Sequence, residues 1–133
     1  MLILLSQAFS TDLDTTAISV SDEAIEFSKS LKKADLYVQA LNQKANALTE
    51  LSLHERAFVV IGEAESITTP DISPLTKAET IFQKALAHHY AANYDLADFY
   101  FRNAKSIAAR ENDQKMLADI NAEHANNYRY KGE

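Results

Sequence analysis

A chain of 133 residues has room for one hydrophobic core, and its lack of cysteine excludes disulfides, zinc ribbons and thiol catalysis together. With 47% hydrophobic residues but only two glycines and two prolines, strong turn formers are too scarce for a hairpin-rich β fold, and an all-α protein is predicted. Thirteen basic against nineteen acidic residues give a formal charge of −6, with no basic run longer than Lys32-Lys33, so phosphate backbones are repelled and nucleic acid is not an expected partner.

Residues 1–20 read as a leader. They open with the apolar run Leu2-Ile3-Leu4-Leu5, followed by Ala8-Phe9-Ser10, which sets small residues at the two places a signal peptidase inspects. The run is short for a signal peptide and lacks a basic flank. Two readings stand: the tail of an export signal that starts upstream of Met1, or a leader that is disordered or caps the first helix. The first points to an extracytoplasmic location, with a cytoplasmic one as the alternative. No segment approaches the ~20 apolar residues of a membrane span, so this segment is not expected to insert into a membrane.

From residue 21 onward apolar residues keep the 3–4 spacing of amphipathic helices, predicted at roughly 22–32, 35–52, 54–68, 74–91, 94–110 and 113–131. Ala34, Tyr37, Val38, Leu41, Ala45 and Leu48 form one such stripe; Ala57, Ile61, Ala64 and Ile67 form the next. The loop Thr68 to Pro74 punctuates the series, with Pro70 stopping one helix, Ser73 capping another and Pro74 in its first turn. Gly62 falls inside a helix, where it costs about 1 kcal/mol relative to alanine.

The series has a period. Leu41 to Ala47 aligns with Ile81 to Ala87, and the match continues through Ala57 with Ala97, Ala64 with Ala104 and Ser66-Ile67 with Ser106-Ile107, always forty residues apart. A further copy begins at Ala125, in the register of Ala85, and Glu23 to Leu31 has the register of the second halves. This divides the domain at 21–133 into a half repeat 21–33, repeats 34–73 and 74–112, and a partial repeat 113–133. Alanines recur where helix axes must approach closely.

Tyr94-Asp95-Leu96-Ala97 with Phe101 and Ala104, like Glu23-Ala24-Ile25-Glu26-Phe27, resembles the second half of a tetratricopeptide repeat, and Asn127 to Glu133 resembles the end of a first helix with its turn. The resemblance covers about residues 22 to 133. Its forty-residue period is similar to the long variants of kinesin light chains and of bacterial signalling proteins. It implies an α-α superhelix of antiparallel helix pairs in which the first helix of each pair lines a concave groove.

By that resemblance the groove carries Gln39, Asn42, Asn46, Thr49 and Glu50, then Glu79, Phe82, Gln83, Leu86, His89 and Tyr90, then Asp119, Glu123, Asn126, Arg129 and Tyr130. Amides and tyrosines there suit an extended peptide; ordinary solvated polar residues would give the same composition. Tetratricopeptide domains that clamp acidic C-terminal tails use basic groove residues, whereas Asp119 and Glu123 would repel a carboxylate, so a neutral or basic ligand is expected.

Catalysis finds no motif. His88 and His89 point about 100° apart on a helix and cannot chelate one ion from one face, and His88 shares the packing register of Leu48. His54 and His124 lack an acidic or histidine partner at i+3 or i+4, and carboxylates such as Glu63, Glu65, Asp95 and Asp98 read as solvated faces. No phosphate loop, nucleophile elbow or metalloprotease signature appears, so neither enzyme activity nor a cofactor or metal is expected.

Three roles compete at this level. The chain is a scaffold that binds a protein or peptide, or the detached sensory front end of a bacterial histidine kinase or diguanylate cyclase. The third is self-association as a homodimer: the last helix, with Met116, Leu117, Ile120 and Tyr128, lacks the partner that a complete repeat would supply.

Overall fold

In the computed structural model, residues 13–30, 33–67 and 69–132 are described. They form six helices and, among the described residues, no strand: α1 Leu13–Ser30, α2 Ala34–Glu50, α3 His54–Ser66, α4 Pro74–Tyr90, α5 Tyr94–Arg110 and α6 Gln114–Lys131. The protein is all-α.

The helix boundaries follow from local chemistry. Ser73 caps α4 by accepting from the Thr76 amide at 3.1 Å, and Pro74 occupies the first turn, where an absent N–H costs nothing. Asp113 caps α6 in the same way, accepting from the Met116 amide at 2.9 Å, and the helix ends on Gly132, whose φ of 93° is left-handed. Three further helix ends share one turn. Leu53, Asn93 and Asp113 return their amides to the carbonyls of Leu48, His88 and Ala108 at 2.9, 2.8 and 3.0 Å. Ser52, Ala92 and Asn112 occupy the left-handed position between, at φ 62°, 65° and 57°. This is the Schellman arrangement, built without glycine.

The period keeps its length while its internal division changes. Ala34 to Ser73 and Pro74 to Asp113 each span forty residues. The first block closes with the 13-residue α3 and a connection described at 67 and 69–73, the second with the 17-residue α5 and the short turn 111–113. One extra turn of helix replaces four residues of loop. Ile72 pins that longer loop to the core at 4% exposure.

Each helix packs on its neighbours in sequence. In addition α2 lies against α4 and α4 touches α6, so the even-numbered helices form one row and the odd-numbered helices flank it. The core has two parts. Ile25, Val38, Leu41, Leu48 and Ile61 fill the space among α1, α2 and α3; Phe82, Leu86, Phe101 and Ile120 fill that among α4, α5 and α6. Within these two parts the alanines 45, 57, 85, 97 and 104 are fully buried, as close crossing of helix axes requires. Phe101 is completely enclosed, so truncation to alanine would cost about 3–5 kcal/mol.

One expectation needs correction. The stretch assigned to a leader is helical from Leu13, and Ile18 packs on the first core; Ala8-Phe9-Ser10 lie outside the described residues. The low helix propensity of Ile18, Val20 and the serines is overridden by packing against α2. Ala125, in the register of Ala85 but on the last helix, which is expected to lack a covering partner, is exposed. Ala85 is covered because α5 follows α4. Among the described residues no helix follows α6.

Candidate functional site

A cleft of about 360 Å³ opens on the row of even-numbered helices. Its walls are built by 3–4 spacing on each: Asn46, Thr49 and Glu50 from α2, Phe82, Gln83, Leu86 and Tyr90 from α4, and Asp119, Ala122 and Glu123 from α6. Phe82 and Leu86 are buried and give the cleft an apolar base. Glu50 and Asp119 are exposed at its rim, and Tyr90 stands 54% exposed beside them.

Two of the lining residues carry a buried side-chain atom that has no hydrogen-bond partner among the described residues: Thr49 Oγ1 and Gln83 Oε1. Gln83 donates through Nε2 to Glu79 Oε2 at 2.7 Å. A carboxylate only accepts, so the amide orientation is fixed with its oxygen left over. Asn46 donates to Glu50 Oε1 at 3.3 Å, and Lys115 reaches Asp119 at 3.4 Å from outside. Among the described residues, no lysine, arginine or histidine lines the cleft. The phenol of Tyr90 is pushed up by burial and then by the negative charge of Glu123 and Glu50 and by Tyr130.

The cleft thus gathers Asn46, Thr49, Glu50, Phe82, Gln83, Leu86, Tyr90, Asp119 and Glu123 from the sequence-derived stripe and adds Ala122, which shares a face of α6 with Asp119 and Glu123. The remaining stripe residues lie elsewhere. Asn42 is buried and its amide is committed to Thr76 O at 3.4 Å and Thr80 Oγ1 at 2.8 Å. His89 is buried with Nδ1 at 3.0 Å from Asn127. Gln39 donates to Asp35, Glu79 accepts from Gln83, and Arg129 donates to Asn126. Tyr130 stacks on Tyr94 and meets His89 edge-on. Asn42 and His89 thus serve contacts that hold the helix row together.

The apolar residues assigned to self-association are also placed differently. Ile120 is completely buried, and Met116 and Leu117 are partly buried against the same Phe101 cluster. Tyr128 stacks on His124 at 4.7 Å and accepts from Arg102 at 3.0 Å. These side chains serve the contact of α6 with α5 and do not form an open apolar face.

One constellation escapes local spacing. His124, 4% exposed, donates from Nε2 to Asp98 Oδ1 at 2.6 Å, and its Nδ1 lies 2.9 Å from Lys105 Nζ. An ammonium can only donate, so Nδ1 is the acceptor in this contact. Burial pushes the Asp98 carboxyl up, but hydrogen bonds from His124, Tyr128 and Arg102 outweigh it and hold the group below its usual value. Stacking of His124 on Phe101 and Tyr128 completes the enclosure, and a second cavity of about 450 Å³ lies beside it, lined by Arg102, Lys105 and Ser106 among others. With both nitrogens engaged, His124 is a link between α5 and α6. The forty-residue register held the clue: Lys44 pairs with Asp22 at 2.6 Å and Lys84 with Glu65 at 3.0 Å, each reaching the preceding helix as His124 reaches Asp98.

His88 packs between Phe58 and Tyr100, at ring separations of 4.6 and 5.5 Å. Among the described residues no three histidine, aspartate or glutamate side chains form a group that could hold a metal ion, and no helix is long and apolar enough to cross a membrane. No family model, curated protein or solved structure matches the chain.

Proposed function

We propose that the chain is a non-catalytic binding scaffold: a tetratricopeptide-like superhelical array whose concave face, along α2, α4 and α6, holds an extended segment of another protein. The observation that carries this reading is the cleft in which equivalent faces of three successive first helices converge, with unpartnered polar atoms above an apolar base. A peptide backbone supplies the donors that such a cleft lacks, and its side chains supply alkyl surface to cover the apolar base. The forty-residue period and the side-by-side packing of the even-numbered helices favour the open array over a closed bundle.

The test is selection of short peptides from a randomised library on the full chain, followed by affinity measurement on the wild type and on Asn46→Ala/Tyr90→Ala. The double variant should keep its helical circular dichroism and lose the selected peptides. Unchanged affinity would remove the cleft from consideration.

A further inference from the structure

The polar groups of the cleft are unbalanced in one direction. Glu50 and Glu123 present carboxylates that, among the described residues, make no ion pair, and Asp119 has only the Lys115 contact at 3.4 Å on its solvent side. Beneath them Gln83, 6% exposed, holds an amide oxygen without a donor, and Thr49, 3% exposed, holds a hydroxyl without a partner. The acceptor on Gln83 does not depend on a choice of amide flip, because Glu79 fixes the nitrogen. A buried acceptor under an uncompensated negative rim is stabilised by a ligand that donates and is positive.

Size and shape narrow the ligand. A cleft of about 360 Å³ is at the lower end of the range for ligand sites and admits a side chain more readily than a folded element. Phe82 and Leu86 offer apolar surface to an alkyl stem, and Tyr90, exposed at the edge, offers a ring face to a cation. An anion would meet three carboxylates. A bare divalent ion would find no group of three ligands among the described residues.

Resting on the peptide-binding reading, we propose that the cleft is a pocket for one basic side chain, lysine or arginine, of the bound segment. Its charged end donates to Gln83 Oε1 and to the carboxylates of Glu50 and Glu123, and its alkyl stem lies along Phe82 and Leu86.

The experiment titrates the full ¹⁵N-labelled chain with acetyl-arginine methylamide, acetyl-lysine methylamide, the neutral isostere acetyl-citrulline methylamide and acetyl-glutamate methylamide. Both basic probes should move the Gln83 side-chain amide and backbone amides of the cleft, with citrulline and glutamate at least about tenfold weaker, as a charge-assisted contact requires. Glu50→Gln and Glu123→Gln, near-isosteric changes, should each weaken the arginine probe about threefold to tenfold, with added salt acting in the same direction. Citrulline binding as well as arginine, or a Glu50→Gln/Glu123→Gln chain binding arginine normally, overturns the proposal. If library peptides bind through the cleft without enrichment of lysine or arginine, the basic-pocket inference falls and the peptide-binding reading survives; if no peptide binds, both fall.

Discussion

His89 Nδ1 meets Asn127 Oδ1 at 3.0 Å, and the same asparagine donates from Nδ2 to Tyr94 O at 3.0 Å, so one fully buried amide ties α4, the start of α5 and α6 together. The Tyr94 carbonyl only accepts, which places the Asn127 oxygen towards His89 and the proton on His89 Nδ1. One repeat earlier Asn42 performs the equivalent task between α2 and α4 through Thr76 and Thr80. Replacing Asn127 by leucine strands a buried N–H and a buried carbonyl, and should destabilise the fold by about 2–4 kcal/mol in urea unfolding. A loss under about 1 kcal/mol would show that the amide is not a structural tie.

Gly62 sits on the exposed side of α3, and a Cβ built there meets nothing within 4 Å. Gly62→Ala therefore removes backbone entropy from the unfolded chain without a steric cost, and should stabilise by about 1 kcal/mol. An unchanged or lower unfolding midpoint would mean that α3 is not helical at that point.

Ala92 carries a side chain at φ 65°, between α4 and α5. Glycine adopts that conformation without the Cβ penalty, so Ala92→Gly should stabilise by about 0.5–1 kcal/mol although the same change inside a helix would destabilise. Calorimetry on Ala92→Gly beside Ala91→Gly reads the contrast; equal effects would contradict the left-handed turn.

Stability should decline on acidification in two stages. Burial, then the nearby Lys84 charge, holds the His88 imidazole below its ordinary 6.5, so the unfolded chain takes up a proton there that the folded one resists. That contribution is intact above pH 6.5 and is lost as pH falls from there through the folded value. Asp35 is raised by burial but held below 3.8 overall by hydrogen bonds from the Ser73 backbone, Thr76 and Gln39; Asp98 is held down as described above. Their contribution is present above 3.8 and disappears as pH drops through their folded values. Urea midpoints measured from pH 8 to pH 3 should show both stages, and His88→Phe, which keeps the packing, should remove the first. An unaltered profile for that variant would exclude His88.

The helices were legible because their causes are local. The 3–4 stripes and the Ser73-Pro74 start needed only neighbours in sequence, and α4 and α5 begin at the residues expected. The cleft was half legible. Periodicity finds the face of each even-numbered helix, but it cannot separate Asn46, which lines the cleft, from Asn42, four residues earlier and buried against Thr80. That difference is set by how far α2 and α4 roll on each other, a tertiary quantity. His124 was illegible for the same reason, since Asp98 and Lys105 reach it from another helix across 26 and 19 residues.

The exchange of four loop residues for one turn of helix, at constant block length, makes the chain modular at its joints. A duplicate of residues 74–113 grafted directly after Asp113 would start another row member from the same kind of capped junction, because Asp113 and Ser73 both cap the helix that follows. Each added block would then lengthen the row of even-numbered helices by one member.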